Sequence, residues 1–177
     1  MNVILFDNNR ENFLPLTYTR PISDFRVGIS TIKEKWEAYY QHVSVKTEEY
    51  LSEKFPCSFK KENLWINSSI LPNEDVITEI NSLRKGEVLI KGENIIAVNN
   101  HEFITSSLDE IESHSQYNQI NNCCDIFSLN GEEIKNDFNR MFSSKELKST
   151  DLERLEQIKK SNVIIGNHPI YIEEGAK

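Results

Sequence analysis

Three arginines between Phe6 and Gly28 are the residues of this sequence best suited to bind phosphate groups. Arg10, Arg20 and Arg26 all lie in this segment. A guanidinium is permanently charged and can donate two parallel hydrogen bonds to one phosphate. The segment shows no sustained helix or strand period, so it is predicted to be a long loop, and long loops inside domains usually carry function. The segment is therefore a candidate phosphate-binding loop.

The same arginines have a second interpretation, in which they only stabilise the loop. Three acidic residues, Asp7, Glu11 and Asp24, are close enough in sequence to pair with them. One arginine alone would favour this structural role, but three in one loop leave both interpretations open. A phosphate site requires at least two guanidiniums in one concave site, with the hydroxyl of Thr17 or Thr19 beside them. The structural role requires guanidiniums that point in separate directions.

Two carboxylates are candidate magnesium ligands because of their positions relative to the predicted strands. Asp7 directly follows the first strand, and Glu93 lies in a glycine-containing turn between two later strands. Magnesium prefers oxygen ligands, and side chains at the carboxyl ends of parallel strands project into one crevice. A surface turn remains the alternative for Glu93. Asp125 is a weaker candidate, and Asp137 is predicted to lie on the surface of a helix.

Alternating helix and strand patterns predict an α/β domain with a mostly parallel sheet. The apolar run at 2–6 has no polar alternation, so it is predicted to be an internal strand that is covered on both faces. The arginine loop is then expected at the carboxyl end of this strand, beside the crevice. Strands are also predicted at 43–45, 64–67, 87–90 and 95–98. Helices are predicted at 30–41, 48–55, 74–83, 134–142 and 152–158.

The helix predicted at 30–41 has an apolar face and a polar face. Ser30 is the expected N-cap, and Ile32 and Trp36 lie on the apolar face with Tyr39 or Tyr40. These aromatic side chains are interpreted as core residues before base-stacking residues. The charged residues of this helix, including Lys35, are placed on the other faces.

Composition and charge exclude several classes of partner. The 177 residues include 20 Lys and Arg and 28 Asp and Glu, for a net charge of −8 without a basic block. Nucleic acid and anionic membranes are therefore poor candidate partners. The apolar runs are too short to span a bilayer and the first residues do not resemble a signal peptide, so a cytoplasmic protein is expected. Cys57, Cys123 and Cys124 are interpreted as reduced core thiols.

The end of the sequence, from Asn162 to Lys177, has aliphatic and small residues at steps of about six. This spacing is typical of a hexapeptide β-helix. We therefore expect one domain at 1–160 and, at 161–177, the first rungs of a β-helix that is cut from a longer protein. Such rungs would leave Ile164, Ile170 and Ile172 partly exposed. The alternative is an ordinary terminal strand.

The loop motif LPLTYTRP, at 14–21, resembles the PLTxxxP signature of sugar-1-phosphate nucleotidyltransferases. The resemblance is to a divergent branch, similar to the N-terminal half of the bifunctional N-acetylglucosamine-1-phosphate uridylyltransferase/acetyltransferase, in which a left-handed hexapeptide β-helix follows the domain. The segments WINSSILPN (65–73) and CDIFSLNGEEIKNDF (124–138) are similar to parts of the same branch. The resemblance implies a three-layer α/β/α, Rossmann-like fold and a full-length trimer formed through the β-helix.

The resemblance also implies a reaction and roles for individual residues. A nucleoside triphosphate and a sugar 1-phosphate would give a nucleotide sugar and pyrophosphate, with magnesium as the cofactor. The residues with implied roles are Arg10 and Arg20 at the reacting phosphates, Thr17, Thr19, Asp24 and Arg26 in substrate binding, and Asp7 and Glu93 as magnesium ligands.

The loop departs from the family pattern in two respects. The segment at 8–12 has no glycine, and Pro21 is followed by Ile22 where the family has lysine. These departures favour an alternative function, in which the domain is a catalytically degenerate nucleotide-sugar-binding or structural module attached to a β-helix acyltransferase-like domain. Retention of LPLTYTRP and the arginines favours the transferase.

Overall fold

A six-stranded sheet organises the part of the chain that contains the arginine loop. The computed structural model describes residues 1–142, 156–157, 160, 162–163, 165–166 and 170–171, and the chain divides into two units, Met1–Asn139 and Arg140–Lys177. The strands are β1 (Val3–Phe6), β2 (Val43–Lys46), β3 (Leu64–Asn67), β4 (Glu87–Lys91), β5 (Asn94–Asn99) and β6 (Asp109–Glu112). The helices are α1 (Ile32–Glu37), α2 (Glu74–Ser82) and α3 (Cys123–Phe142).

The strand order in the sheet is β2-β1-β3-β5-β4-β6. The pairs β1/β2, β1/β3 and β4/β6 are parallel, whereas β5 runs antiparallel to both β3 and β4. The predicted α/β class and mostly parallel sheet are therefore confirmed. The internal position of β1 is confirmed as well, because this strand lies between β2 and β3.

The apolar side chains of β1 pack into two different hydrophobic cores, one on each face of the sheet. Val3 and Leu5 belong to a cluster with residues of α1, α2 and α3. Ile4 and Phe6 point to the opposite face, where they contact Trp65 and other residues in a smaller cluster. Burial of each of these four side chains contributes about 1.5–3 kcal/mol to the stability of the fold. Because the side chains alternate between the two faces, β1 has to be covered on both.

The two faces of the sheet are covered by different kinds of structure. The three described helices contribute residues to the larger cluster on one face. On the other face, the cluster around Trp65 is completed by Cys57 and Leu108 from loop segments. Over the described residues, the second outer layer of the predicted three-layer arrangement is thus made of loops.

Several predicted boundaries differ from those in the structure. Thr31, not Ser30, caps α1: its hydroxyl accepts from the Glu34 N–H at 3.2 Å, and the Glu34 carboxylate accepts from the Thr31 N–H at 2.7 Å. The helix predicted at 48–55 is a short 3₁₀ turn at Glu49–Leu51. Helix α3 begins eleven residues earlier than predicted, at Cys123 instead of Ile134, and β6 lies in a segment for which no element was predicted.

The predictions for the end of the chain fall mostly outside the described residues. This applies to most of the helix at 152–158 and to Ile164 and Ile172. Ile170 is described and is 44% exposed, in agreement with the expected partial exposure. Among the described helices, none has the length and apolarity needed to cross a bilayer.

Helix α3 holds the far end of the arginine loop through a cluster of buried polar groups. The Gly28 N–H donates to Asn130 Oδ1 at 2.8 Å, and the Ile29 and Ser30 N–H groups donate to Asp137 Oδ2 at 2.9 and 3.0 Å. Gly28 has a φ of +87°, and a Cβ there would lie 2.7 Å from Asp137 Oδ2. Close approach of the loop to α3 therefore requires glycine at this position.

Lys35 of α1 completes this cluster. Its Nζ lies 2.7 Å from Glu133 Oε2 and 2.6 Å from Asp137 Oδ1, and the Lys35 and Asp137 side chains are both fully buried. The predicted polar-face position of Lys35 and surface position of Asp137 are therefore wrong. A lysine inside a domain needs a charged partner, and here both partners come from a helix about 100 residues further along the chain.

We expect the Lys35→Ala variant to lower the free energy of unfolding by about 3–5 kcal/mol, because it leaves two buried carboxylates without their cation. Urea denaturation followed by circular dichroism measures the change. Lys33→Ala is the matched control, since Lys33 pairs with Glu37 on the exposed side of the same helix and such pairs contribute about 0.3–0.5 kcal/mol. Equal losses in the two variants would contradict a special role for Lys35.

Candidate functional site

Asp7 lies directly after β1, and its carboxylate accepts four hydrogen bonds. Oδ1 accepts from the Ile22 N–H and the Ser68 hydroxyl, both at 3.0 Å. Oδ2 accepts from Arg10 Nη1 at 2.7 Å and from the Thr47 hydroxyl at 2.6 Å. Ser68 follows β3 and Thr47 follows β2. The carboxylate therefore joins the carboxyl ends of three parallel strands to two points of the arginine loop.

Arg10 is held between this carboxylate and the middle of the loop. Its Nη1 also donates to Thr47 Oγ1 at 2.9 Å, and its Nη2 donates to the carbonyl of Thr17 and, at 3.2 Å, to the Tyr50 hydroxyl. Its Nε is 3.8 Å from Glu48 Oε1. The Thr17 hydroxyl in turn donates to the carbonyl of Arg10 at 2.9 Å. Arg10 and Thr17 therefore stabilise the loop fold through reciprocal bonds.

A cavity of about 440 Å³ opens beside Asp7 and Arg10 at this edge of the sheet. Such a volume falls in the range of small-molecule sites. Its polar lining residues come from the carboxyl ends of β1 and β2, from the arginine loop and from later loops, and its apolar lining is aromatic. The full lining comprises Phe6, Asp7, Arg10, Lys46, Thr47, Glu48, Phe59, Trp65, Glu102 and Phe103.

The other residues that sequence predicted for the site lie outside the lining of this cavity. Arg20 is half exposed, with its Nη1 3.8 Å from Asp24 Oδ2. Arg26 is exposed and donates to the carbonyl of Ile29. Thr19 is exposed on the loop surface. Of the three arginines, only Arg10 therefore lines the cavity.

Glu93 lies in the β4–β5 turn, at the same edge of the sheet as Asp7 but separated from it by β3. The described residues contain no group of three or more His, Cys, Asp or Glu side chains arranged to hold a metal ion. Both oxygens of Asp7 are already occupied by two donors each. The Asp7 carboxylate is therefore already held by protein donors in this arrangement, and the role of Asp7 and Glu93 as magnesium ligands stays a prediction.

Sequence reasoning missed most of the cavity lining. Lys46 is the last residue of β2, and Thr47 and Glu48 follow it. Because this strand is predicted from the sequence at 43–45, the position of its end beside Asp7 was the available signal. The aromatic residues Phe59 and Phe103 lie in segments without a period, 44 residues apart in sequence. Nothing in the sequence indicates that these two rings lie on the same wall.

Cys57 lies beneath the same face of the sheet. Burial raises the pKa of its thiol, while the Ser44 hydroxyl and the positive charge of Lys46 oppose the shift. A thiol with a raised pKa is a poor nucleophile, which agrees with the interpretation of Cys57 as a core thiol. Cys123 is half-buried against the main core, whereas Cys124 is exposed, so the interpretation as a core thiol is wrong for Cys124.

A family model for sugar nucleotidyl transferases matches residues 3–146. The match covers β1, the arginine loop and all six strands, and the chain belongs to this family. No curated protein sequence matches the chain. Among solved structures, the chain is similar to a Bacillus anthracis protein assigned as a glucose-1-phosphate thymidylyltransferase and crystallised with sucrose. The similarity has a TM-score of 0.44 and 10% sequence identity, and covers 76% of this chain and 95% of that chain.

We expect Arg10→Ala to lower the free energy of unfolding by about 1.5–3 kcal/mol, the range for a hydrogen bond to a charged group, because Asp7 loses its cation and the Thr17 carbonyl loses a donor. Arg20→Ala, at a half-exposed pair, is expected to change it by less than about 0.5 kcal/mol. Urea denaturation of both variants measures the difference. A smaller loss for Arg10→Ala than for Arg20→Ala would show that the Arg10 contacts do not hold the loop.

Proposed function

We propose that this chain transfers a nucleotidyl group from a nucleoside triphosphate to a sugar 1-phosphate, giving a nucleotide sugar and pyrophosphate. The observation that carries the proposal is the family match over residues 3–146, which includes the whole arginine loop. The loop lies at the carboxyl end of β1, and ligands of open α/β sheets bind at this end of the strands.

In the proposed reaction, an oxygen of the sugar phosphate attacks the α-phosphorus of the nucleotide. The bond between the α-phosphorus and the bridging oxygen breaks, and pyrophosphate leaves. The protein has to hold two anions in line and offset their charge. Arg20 and Arg26 supply exposed guanidiniums on the loop, and Arg20 is only weakly paired at 3.8 Å from Asp24. Magnesium, the cofactor that the family resemblance implies, is part of this proposal, with Asp7 and Glu93 as its candidate ligands.

Two further properties belong to this proposal. Residues 161–177 are proposed to begin a left-handed β-helix through which a longer form of the protein assembles as a trimer. The high exposure of Val163 and Ile165 supports this, because aliphatic side chains of an isolated rung have no neighbouring rung to cover them. A cytoplasmic location is part of the same proposal.

A second candidate function is a binding module that has lost transfer chemistry. It is favoured by the hydrogen bonds of Asp7 and Arg10 with each other and with several other protein groups. The segment 8–12 also lacks the glycines that let backbone N–H groups approach a triphosphate. Such a module would bind a nucleotide sugar and position it for an attached domain.

A pyrophosphate-release assay tests the transferase. The chain is incubated with each pairing of a nucleoside triphosphate with a sugar 1-phosphate, with magnesium chloride present. We expect pyrophosphate and nucleotide sugar from at least one pairing. Arg20→Ala is expected to weaken substrate binding by about 1.5–3 kcal/mol without changing the melting temperature. Arg84→Ala is the matched control, since Arg84 is an exposed arginine in the α2–β4 turn at the opposite edge of the sheet.

The two candidate functions give different outcomes in this experiment. The transferase proposal is overturned if no pairing yields pyrophosphate while a nucleotide sugar still raises the melting temperature, and the binding module is then the better description. If Arg20→Ala instead lowers the melting temperature in the absence of ligand, the loop arginine has a structural role.

A further inference from the structure

Phenylalanine rings are exposed at the wall of the cavity beside Asp7. Phe59 is 57% exposed and Phe103 is 40% exposed, although both contact buried aromatic residues. The ring centroid of Phe103 is 4.4 Å from that of Phe6 and 5.6 Å from that of Trp65, and the centroid of Phe59 is 5.8 Å from that of Trp65. The wall is therefore a continuous series of four rings, with two of them available to a ligand.

This aromatic wall is held in place from behind. Trp65 is buried on β3, and its Nε1 donates to the carbonyl of Asn100 at 3.1 Å. Phe6 is buried at the end of β1, in the same cluster as Trp65. Because the inner rings are fixed by the sheet, the outer rings Phe59 and Phe103 rest on a rigid support. Exposed apolar groups at the lining of a cavity are typical of a ligand-binding surface.

The charges of the cavity identify what kind of ligand suits these rings. The lining holds two cations, Arg10 and Lys46, and three carboxylates, Asp7, Glu48 and Glu102. The charge of Arg10 is already offset by Asp7 at 2.7 Å. The side-chain ammonium of Lys46 has no hydrogen bond or ion pair with the described part of the chain, although its backbone carbonyl accepts from the Asp7 N–H at 3.3 Å. One free ammonium can offset one phosphate group, but a lining with more carboxylates than cations repels a triphosphate.

We propose that this cavity binds the sugar ring of a sugar monophosphate. The apolar face of the ring lies against Phe103 and Phe59, its hydroxyls donate to the carboxylates of Glu48 and Glu102, and its phosphate binds the ammonium of Lys46. The volume of about 440 Å³ accommodates a ligand of this size. The proposal rests on the proposed function, because it assigns the acceptor substrate of that reaction to a defined surface.

Equilibrium binding to the full chain, measured by isothermal titration calorimetry without nucleotide, tests the proposal. The probes are glucose 1-phosphate, N-acetylglucosamine 1-phosphate, free glucose, inorganic phosphate and uridine triphosphate. We expect one of the sugar phosphates to bind at least tenfold more tightly than any of the other three probes. Phe103→Ala and Lys46→Ala are each expected to weaken that binding at least tenfold.

Matched control variants distinguish the effect of changing the cavity from the effect of removing any exposed phenylalanine or lysine. Phe127→Ala removes an exposed phenylalanine of α3, and Lys85→Ala removes an exposed lysine at the opposite edge of the sheet; both are expected to bind the sugar phosphate as the unchanged chain does. Phe103→Tyr keeps the ring and is expected to restore binding. Phe103→Leu keeps an apolar side chain over Trp65, so its melting temperature is expected to be unchanged. We expect this variant to lose binding of the sugar phosphate, which would show that the aromatic ring itself is required.

Three results would overturn the proposal. The first is tighter binding of uridine triphosphate than of either sugar phosphate, with the same dependence on Phe103, which would assign the wall to a nucleobase. The second is an equal effect of the cavity variants and their controls. The third is pyrophosphate release by the Phe103→Leu variant with an unchanged KM for the sugar phosphate. That result would leave the transferase reaction standing while excluding this cavity as its acceptor site.

Discussion

The carboxylate of Asp7 is the constraint on which the candidate site depends. It is a nearly buried anion at the end of the central strand, and burial of a charge is costly unless hydrogen bonds and a counter-charge compensate it. Arg10, Ile22, Thr47 and Ser68 provide that compensation. These four donors come from two points of the loop and from the ends of two neighbouring strands. The requirement to satisfy one carboxylate thus gives the long loop a defined path across the sheet edge.

A second buried charge fixes the same loop at its other end. Asp137 of α3 accepts from the backbone at Ile29 and Ser30 while it pairs with Lys35. The loop is therefore anchored after β1 by one aspartate and before α1 by another. Between these anchors, Arg20 remains half exposed with a long contact to Asp24. The loop is thus held at both ends, with solvent-accessible cations between its anchors.

Much of the fold was predictable because it depends on local pattern. The apolar run of β1, the strands β2 and β3 and helix α2 each bury a face that repeats with the period of the element, so their positions follow from sequence. The family resemblance follows from the LPLTYTRP motif for a similar reason, since the motif is contiguous. The prediction failed for Lys35 and Asp137, which read as surface residues on amphipathic helices. The two side chains can be buried only as a pair. The apolar pattern of one helix does not indicate that a charged residue on it has a partner in a helix far away in the sequence.

The sequence by itself determined the α/β class, the internal first strand, the position of the loop after that strand and the family to which the chain belongs. Only the tertiary structure decided which charged residues of the loop face inward and which side chains form the cavity. Arg10 and Arg20 are the same residue type in the same loop, yet Arg10 binds Asp7 and Thr47 whereas Arg20 extends into solvent. The difference arises because hydrogen bonds and burial depend on distance in space, and residues far apart in the chain, such as Thr47, Phe59 and Phe103, set the surroundings of each arginine.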